Sequence, residues 1–144
     1  MIRNLEARDR AQYLAMAHDF YQSSAVDHPV PDEFLERTFD ELLSGAPYAE
    51  GFLFEEDGEV RGYALLAKTW SQEAGGLTIW VEEIYIRPEF RGCGLGGAFF
   101  TWLKANRPAA RYRLETEPDN EGAKALYRRQ GFRFLNYESF ILGQ

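Results

Sequence analysis

The stretch Trp80-Val-Glu-Glu-Ile-Tyr-Ile-Arg-Pro-Glu-Phe-Arg-Gly-Cys-Gly-Leu-Gly-Gly97, with Ala98-Phe-Phe-Thr-Trp-Leu-Lys-Ala-Asn106 after it, decides the fold. It reads as a strand, a turn, a glycine-rich loop and a helix. Apolar residues alternate along Leu77, Ile79 and Val81, then resume on the other parity at Ile84 and Ile86. A strand shows successive side chains to opposite faces, so a change of parity needs an inserted residue to keep one face buried. A β-bulge is therefore predicted at or beside Glu82-Glu83, where the strand bends and backbone groups lose their partners. Arg87-Pro88 ends the strand.

Gly92, Gly94, Gly96 and Gly97 let the chain turn tightly and approach a ligand. Leu95, Phe99, Trp102 and Leu103 fall at i, i+4, i+7, i+8, one apolar face of a helix. Its free N-terminal N–H groups would point back into the loop and favour an anion, above all a phosphate. Gly92 to Gly97 also satisfies the dinucleotide pattern G-x-G-x-x-G, with Glu115 downstream for a ribose contact. A doubly wound fold needs several more βα units after that fingerprint, and fewer than fifty residues remain here. The dinucleotide alternative is set aside on that ground.

Arg91-Gly92-Cys93-Gly94-Leu95-Gly96 resembles the R/Q-x-x-G-x-G/A acyl-CoA loop of the GCN5-related N-acetyltransferases, the GNAT family. Val81 to Phe90 resembles that family's strand 4, particularly in its spermidine/spermine-like, small-amine branch. Asn120-Glu-Gly-Ala-Lys-Ala-Leu-Tyr127, followed by Gly131-Phe132, is similar to its N-x-x-A-x-x-x-Y…G-F helix. The two blocks stand in the family's order and separation. The resemblance implies an α/β (mixed α+β) fold: a central, mostly antiparallel sheet of six to seven strands, splayed between strands 4 and 5 and flanked by about four helices. The splay is expected between Glu82–Ile86 and Leu114–Thr116.

The rest of the chain fits one domain over residues 1–144, a length that supports a real core. Hydrophobic residues make up 45%, which excludes disorder as the default state. No run approaches a membrane span, and the start lacks the apolar core of a signal peptide. A single cysteine cannot close an internal disulfide, and one Cys with two separated His cannot build a zinc site. A cytoplasmic protein without metal and without a membrane partner is the expectation. The net charge of −7 argues against nucleic acid as a partner. That charge is uneven: residues 27–60 hold eleven acids against one Arg, and residues 87–133 hold ten Lys or Arg against five acids. Such a split suits a phosphorylated co-substrate on one half and something cationic on the other.

Strands are expected over 1–5, 48–55, 60–69, 112–116, 132–135 and 137–142 besides the organising one, and helices over 9–21, 32–43 and 119–130. Glu56-Asp57-Gly58 is a hairpin signal, Ser23 to Pro31 a loop, Asp32 a helix cap and Gly131 a helix stop.

The family resemblance implies acetyl transfer from acetyl-CoA to a primary amine. Gly92, Cys93, Gly94, Leu95, Gly96 and Gly97, with Arg91 nearby, would cradle the pyrophosphate. Ile84, Tyr85 and Ile86 would pair with the pantetheine arm as a strand edge does. Asn120 matches the residue that touches pantetheine or orders its helix, with a plain N-cap as the simpler role. Tyr127 matches the tyrosine that protonates the departing thiolate; a phenol keeps its proton at neutral pH. Glu82 is the candidate base, and Glu83, with Glu82, the candidate holder of a cationic substrate. Cys93 has no partner base, so direct attack by the amine is expected rather than covalent catalysis. The acceptor is expected to be a small cationic or amino-acid-like molecule; a protein amino terminus or lysine is the alternative. A non-catalytic acyl-CoA sensor is the alternative of another class. The family resemblance also admits a homodimer, for which this sequence carries no separate signal.

Overall fold

The computed structural model describes residues 1–23, 26 and 28–143. The loop expected over 23–31 lies outside the described residues at positions 24, 25 and 27. Five strands, β1 (Ile2–Asn4), β2 (Ala49–Glu56), β3 (Glu59–Ser71), β4 (Gly76–Ile86) and β5 (Arg111–Arg113), form one sheet in that spatial order. Neighbours from β1 to β4 are antiparallel, and β4 pairs β5 in parallel. Four helices accompany it: α1 (Arg10–Tyr21), α2 (Asp32–Leu43), α3 (Leu95–Asn106) and α4 (Glu121–Arg129).

The sheet separates two apolar layers. On one face Leu53, Tyr63, Leu65 and Tyr85 meet Tyr13, Met16 and Ala17 of α1 and Leu35 and Phe39 of α2. On the other, Phe52, Phe54, Leu66, Ile79 and Val81 meet Phe99, Phe100 and Leu103 of α3, with Leu126 and Tyr127 of α4 beside them. Fully burying a side chain of this size contributes about 1.5–3 kcal/mol relative to exposure. These two layers therefore carry the fold.

The bulge falls where the parity change requires it. Leu65 pairs with Glu83 and Leu66 with Val81, which leaves Glu82 as the extra residue. Leu77, Ile79 and Val81 before it, and Ile84 and Ile86 after it, all belong to the α3 layer. The β2–β3 turn also has its expected form, since Asp57 (φ 53°) and Gly58 (φ 76°) both take the positive φ of a type I′ turn.

Three expectations are corrected. Among the described residues the sheet has five strands rather than six to seven, because residues 132–135 and 137–142 join no ladder. The strand expected over 112–116 is Arg111–Arg113, since its pairing with β4 stops at Trp80↔Arg113 and residues 114–116 follow no neighbour. Pro31 takes the N-cap position of α2, and Asp32 instead supplies negative charge to its first turn.

Gly62 marks the closest backbone approach in the sheet. A Cβ there would lie 2.2 Å from the Tyr85 carbonyl oxygen, just past the bulge. Gly62→Ala is expected to cost about 1–3 kcal/mol by overpacking and to lower Tm by several degrees. Thermal denaturation checks this; an unchanged Tm would mean that β3 and β4 can separate there freely.

Candidate active site

β4 and β5 run together only through Thr78↔Arg111, Ile79↔Tyr112 and Trp80↔Arg113. The Arg113 guanidinium lies over the Trp80 ring at 4.3 Å from its centroid and closes this last pair. Beyond it the two chains part, so residues 81–86 pair with β3 on one side and have no strand on the other. The opening begins at the bulged residue. An extended ligand could add itself to this edge.

The loop past the opening has the geometry of an anion cradle. Gly92 (φ +77°) and Gly94 (φ +84°) occupy the left-handed region, and Gly94 is the N-cap of α3. No side chain caps that helix start. Its first N–H groups are thus left for a ligand or water. Added Cβ atoms at Gly92 and Gly94 would meet nothing within 4 Å, so backbone conformation, not space, selects glycine there. Gly96 differs: a Cβ would come 2.8 Å from Leu126, because α3 and α4 pack closely at that point.

Arg91 is tied to the strand end, where its Nε donates to the Ile86 carbonyl at 2.8 Å. Its guanidinium also lies 5.7 Å from the Tyr85 ring centroid. Cys93 and Arg91 are exposed, Leu95 is half-buried, and Ile84 and Ile86 turn their side chains to the α3 layer.

The two acids at the bulge have different surroundings. Glu83 is half-buried and accepts hydrogen bonds from the hydroxyls of Tyr63 (2.7 Å) and Tyr21. Burial raises its carboxyl above the usual range; the two hydroxyls oppose the rise and the Glu82 charge adds to it. Glu82 is solvent-accessible as a residue, yet surrounding protein desolvates its carboxyl and raises it, with the Glu115 charge as the second cause. The Glu82 charge is also felt at Tyr21 and Glu83, which puts both acids near the end of α1. Tyr85 forms a second link to α1: its hydroxyl donates to Asp19, and burial followed by that bond pushes it up to about 12.

α4 starts with Asn120 as N-cap, its side-chain oxygen accepting from the Ala123 N–H at 3.1 Å. In its last turn, Tyr127 packs edge-on between Phe100 (5.9 Å) and Phe132 (6.0 Å). Its hydroxyl has no hydrogen-bond partner among the described residues and is not among the enclosed polar atoms, so it keeps contact with solvent. Burial of the ring raises its pKa and keeps it protonated.

Several groups at this site carry no signal in the sequence. Tyr21 and Tyr63 look like ordinary core aromatics at their positions, and only the fold brings them to Glu83. Glu115, noted above solely as a dinucleotide contact, lies near enough to Glu82 for its charge to raise that carboxyl. Two cavities lie elsewhere: one of about 310 Å³ bordered by Leu42, Glu50 and Lys68, and one of about 200 Å³ between α1 and α2 at His18 and Asp32. Neither of these two is bordered by Glu82 or Glu83. No group of His, Cys, Asp and Glu able to hold a metal occurs among the described residues, nor is any of their helices long and apolar enough to cross a membrane.

The sequence matches the model of the Acetyltransferase (GNAT) family over residues 12–132. The chain belongs to that family. Solved structures share its fold over almost the whole length. A possible acetyltransferase from Clostridium difficile 630 superposes with a TM-score of 0.84 at 18% identity, covering 100% of this chain and 97% of that one. An integron cassette protein from the mobile metagenome of Cole Harbour Salt Marsh gives a TM-score of 0.78 at 26% identity, over 99% of this chain and 88% of that one. AAC(6')-Iy, in complex with the bisubstrate analogue CoA-S-monomethyl-acetylneamine, gives 0.80 at 17% identity, over 100% of this chain and 97% of that one. No curated protein matches the sequence at a significant level.

Tyr21→Phe removes one of the two donors that favour ionised Glu83. The Glu83 carboxyl is then expected to titrate at higher pH than in the unaltered chain, which carboxyl-carbon NMR across a pH series measures. An unmoved midpoint would show that Tyr21 does not hold that carboxylate in solution.

Proposed function

We propose that this chain, acting as a single unit over residues 1–144, transfers the acetyl group of acetyl-CoA to a primary amine. The acceptor is a small cationic or amino-acid-like molecule, as in the small-amine branch that the sequence resembles. One observation carries the reading: the Glu82 bulge, the parting of β4 from β5 and the uncapped start of α3 coincide at one end of the sheet.

The residues divide the work as follows. Backbone N–H groups of Gly92, Cys93, Gly94, Leu95, Gly96 and Gly97 take the pyrophosphate at the positive end of α3. The terminal N–H groups of Arg91 assist from the rim. The free edge of Ile84, Tyr85 and Ile86 pairs with the amide-bearing pantetheine arm, and Asn120 meets that arm at the start of α4. A backbone N–H at the bulge stabilises the carbonyl oxygen as it gains charge.

An alkyl ammonium has a pKa near 10.4, so about one molecule in a few thousand is neutral at pH 7. Glu82, directly or through a water, takes that proton, and its raised pKa brings it closer to the strength the task needs. Glu83 holds the acceptor's positive charge from behind the tyrosine hydroxyls. The amine nitrogen then forms its bond to the thioester carbon, the C–S bond breaks, and the thiolate takes the Tyr127 proton. Glu82 releases the ammonium proton to solvent, and the second proton lost by the acceptor nitrogen restores the Tyr127 hydroxyl through water, so charge and atoms balance without a covalent enzyme intermediate. The free thiol of Cys93 agrees with a reducing compartment such as the cytoplasm, where the co-substrate is supplied.

A protein amino terminus or lysine presents the same nucleophile. The solvent-accessible position of Glu82 favours that second reading, since a large acceptor could reach it. A panel of amines, polyamines and peptides with acetyl-CoA, read by thiol release, separates the two. CoA binding without turnover on any of them would replace both with an acyl-CoA sensor.

Tyr127→Phe is expected to lower kcat by about 10²-fold while leaving acetyl-CoA affinity nearly unchanged; an unaltered kcat would remove its role as acid. Because the Glu82 carboxyl is raised, kcat/KM should climb with pH through a value above the ordinary carboxylate range. Glu82→Gln should abolish that limb, and a retained limb would assign the base elsewhere.

A further inference from the structure

Where β4 and β5 part, one charged group lacks a counter-charge. Arg113 ends β5 and stands between Tyr112 and Leu114, which both belong to the α3 layer. By strand alternation it therefore lies on the other face of the sheet, as does Trp80 between Ile79 and Val81. There the two meet, guanidinium over indole. This is the face of α1, on which Glu83 accepts from Tyr21. Glu82 follows Trp80 by two residues, and the charge of Glu115, two residues past Arg113, reaches the Glu82 carboxyl. Arg113 thus shares one face of the opening with the acids of the site.

Half-buried arginines elsewhere are matched. Arg3, Arg10, Arg61, Arg107 and Arg111 each lie within ion-pair distance of a carboxylate. Arg113 is half-buried as well, yet its side chain makes no ion pair and no hydrogen bond among the described residues. Arg87 also lacks a carboxylate, but it lies past the end of β4 rather than where the two strands part. A guanidinium carries five N–H donors, and desolvating them without acceptors is costly. The indole takes the flat face of the group. Its edge donors remain, and they match the two oxygens of a carboxylate in a bidentate pair.

The spacing suits a short ligand with opposite charges at its ends. Trp80 and Glu82 are two residues apart, a rise of about 7 Å along a strand. An α- or β-amino acid, with a charge-assisted hydrogen bond of about 2.8 Å at each end, reaches across a distance of that order. A diamine of equal length would set its second ammonium against Arg113, and like charges brought together oppose binding.

We propose that Arg113, held on Trp80, binds a carboxylate of the acceptor, so that the amine substrate is an amino acid rather than a di- or polyamine. Its ammonium end faces Glu82 and its carboxylate end faces Arg113. The inference rests on the acetyl-transfer reading above and narrows that acceptor to a zwitterion.

Matched ligands test this on the unaltered chain: glycine, β-alanine and a panel of larger α-amino acids, each against its carboxamide and the diamine of equal length. Calorimetry in the presence of CoA measures their binding without any chemistry. At least one acid is expected to bind about 10- to 100-fold more tightly than its amide, and the diamines more weakly still. Arg113→Gln should erase that preference with an unchanged far-UV circular dichroism spectrum. Arg113→Lys, which keeps the charge but loses the fork, should retain part of it. Amides or diamines that bind as well as every acid, or no binding by any acid, would overturn the proposal. A preference that survives Arg113→Gln would overturn it too, and the ligand comparison decides alone should the variants fail to fold. Thiol release from acetyl-CoA with the same panel reports separately on the reaction. A carboxylate preference without turnover would remove the acetyl-transfer reading and keep the Arg113 site; turnover without a preference would do the reverse.

Discussion

The sheet depends on a single inserted residue. A strand buried on both faces must keep its period of two or lose one of its cores. Glu82 is inserted between Val81 and Glu83, so the apolar residues before and after it reach the same α3 layer. The same insertion frees Tyr85 to face α1, where it stacks on Tyr63 with centroids 5.7 Å apart. Bulging increases the local twist of a strand, and β5, only three residues long, keeps company with β4 only as far as Trp80. The opening in the sheet is thus a consequence of packing both cores.

The insertion also explains why two adjacent acids can both lie near the end of α1. In a regular strand Glu82 and Glu83 would point apart. With the bulge, Glu83 sits among tyrosines and Glu82 stands at the rim. A desolvated carboxyl with hydroxyl donors is firmly held, since hydrogen bonds strengthen where water is scarce. The same bonds fasten the end of α1 to the bulge, through Tyr21 to Glu83 and through Asp19 to Tyr85. The end of α1 is therefore oriented by Glu83 and Tyr85 of the organising strand.

Much of this was legible in the residues themselves. The parity change located the bulge, Asp57-Gly58 located the hairpin turn, and Asn120 located the start of α4, because each is a local rule acting on neighbours in the chain. Gly92 and Gly94 were legible for the same reason, since positive φ is a property of one residue, whereas Gly96 and Gly97, expected in the same loop, lie inside α3. The roles of Tyr21, Tyr63 and Glu115 were not legible, as their partners lie 62, 20 and about 33 positions away along the chain. The two strands expected after Gly131 show the limit from the other side. Residues 132–135 and 137–142 join no ladder, and a tight turn at Leu135–Tyr137 interrupts them, since a strand forms only when an edge is available to pair with it.

By itself the sequence determined the period of each element, the residue at which the organising strand slips its register, and the conformations at the turns and helix starts. Those are fixed by sterics and periodicity within a few residues. Tertiary structure alone decided how far β5 follows β4, which hydroxyls reach Glu83, how strongly each carboxyl is desolvated, and that the last apolar stretch stands clear of the sheet. Such outcomes depend on distances between segments remote in the chain, and only the packing of both layers sets those distances.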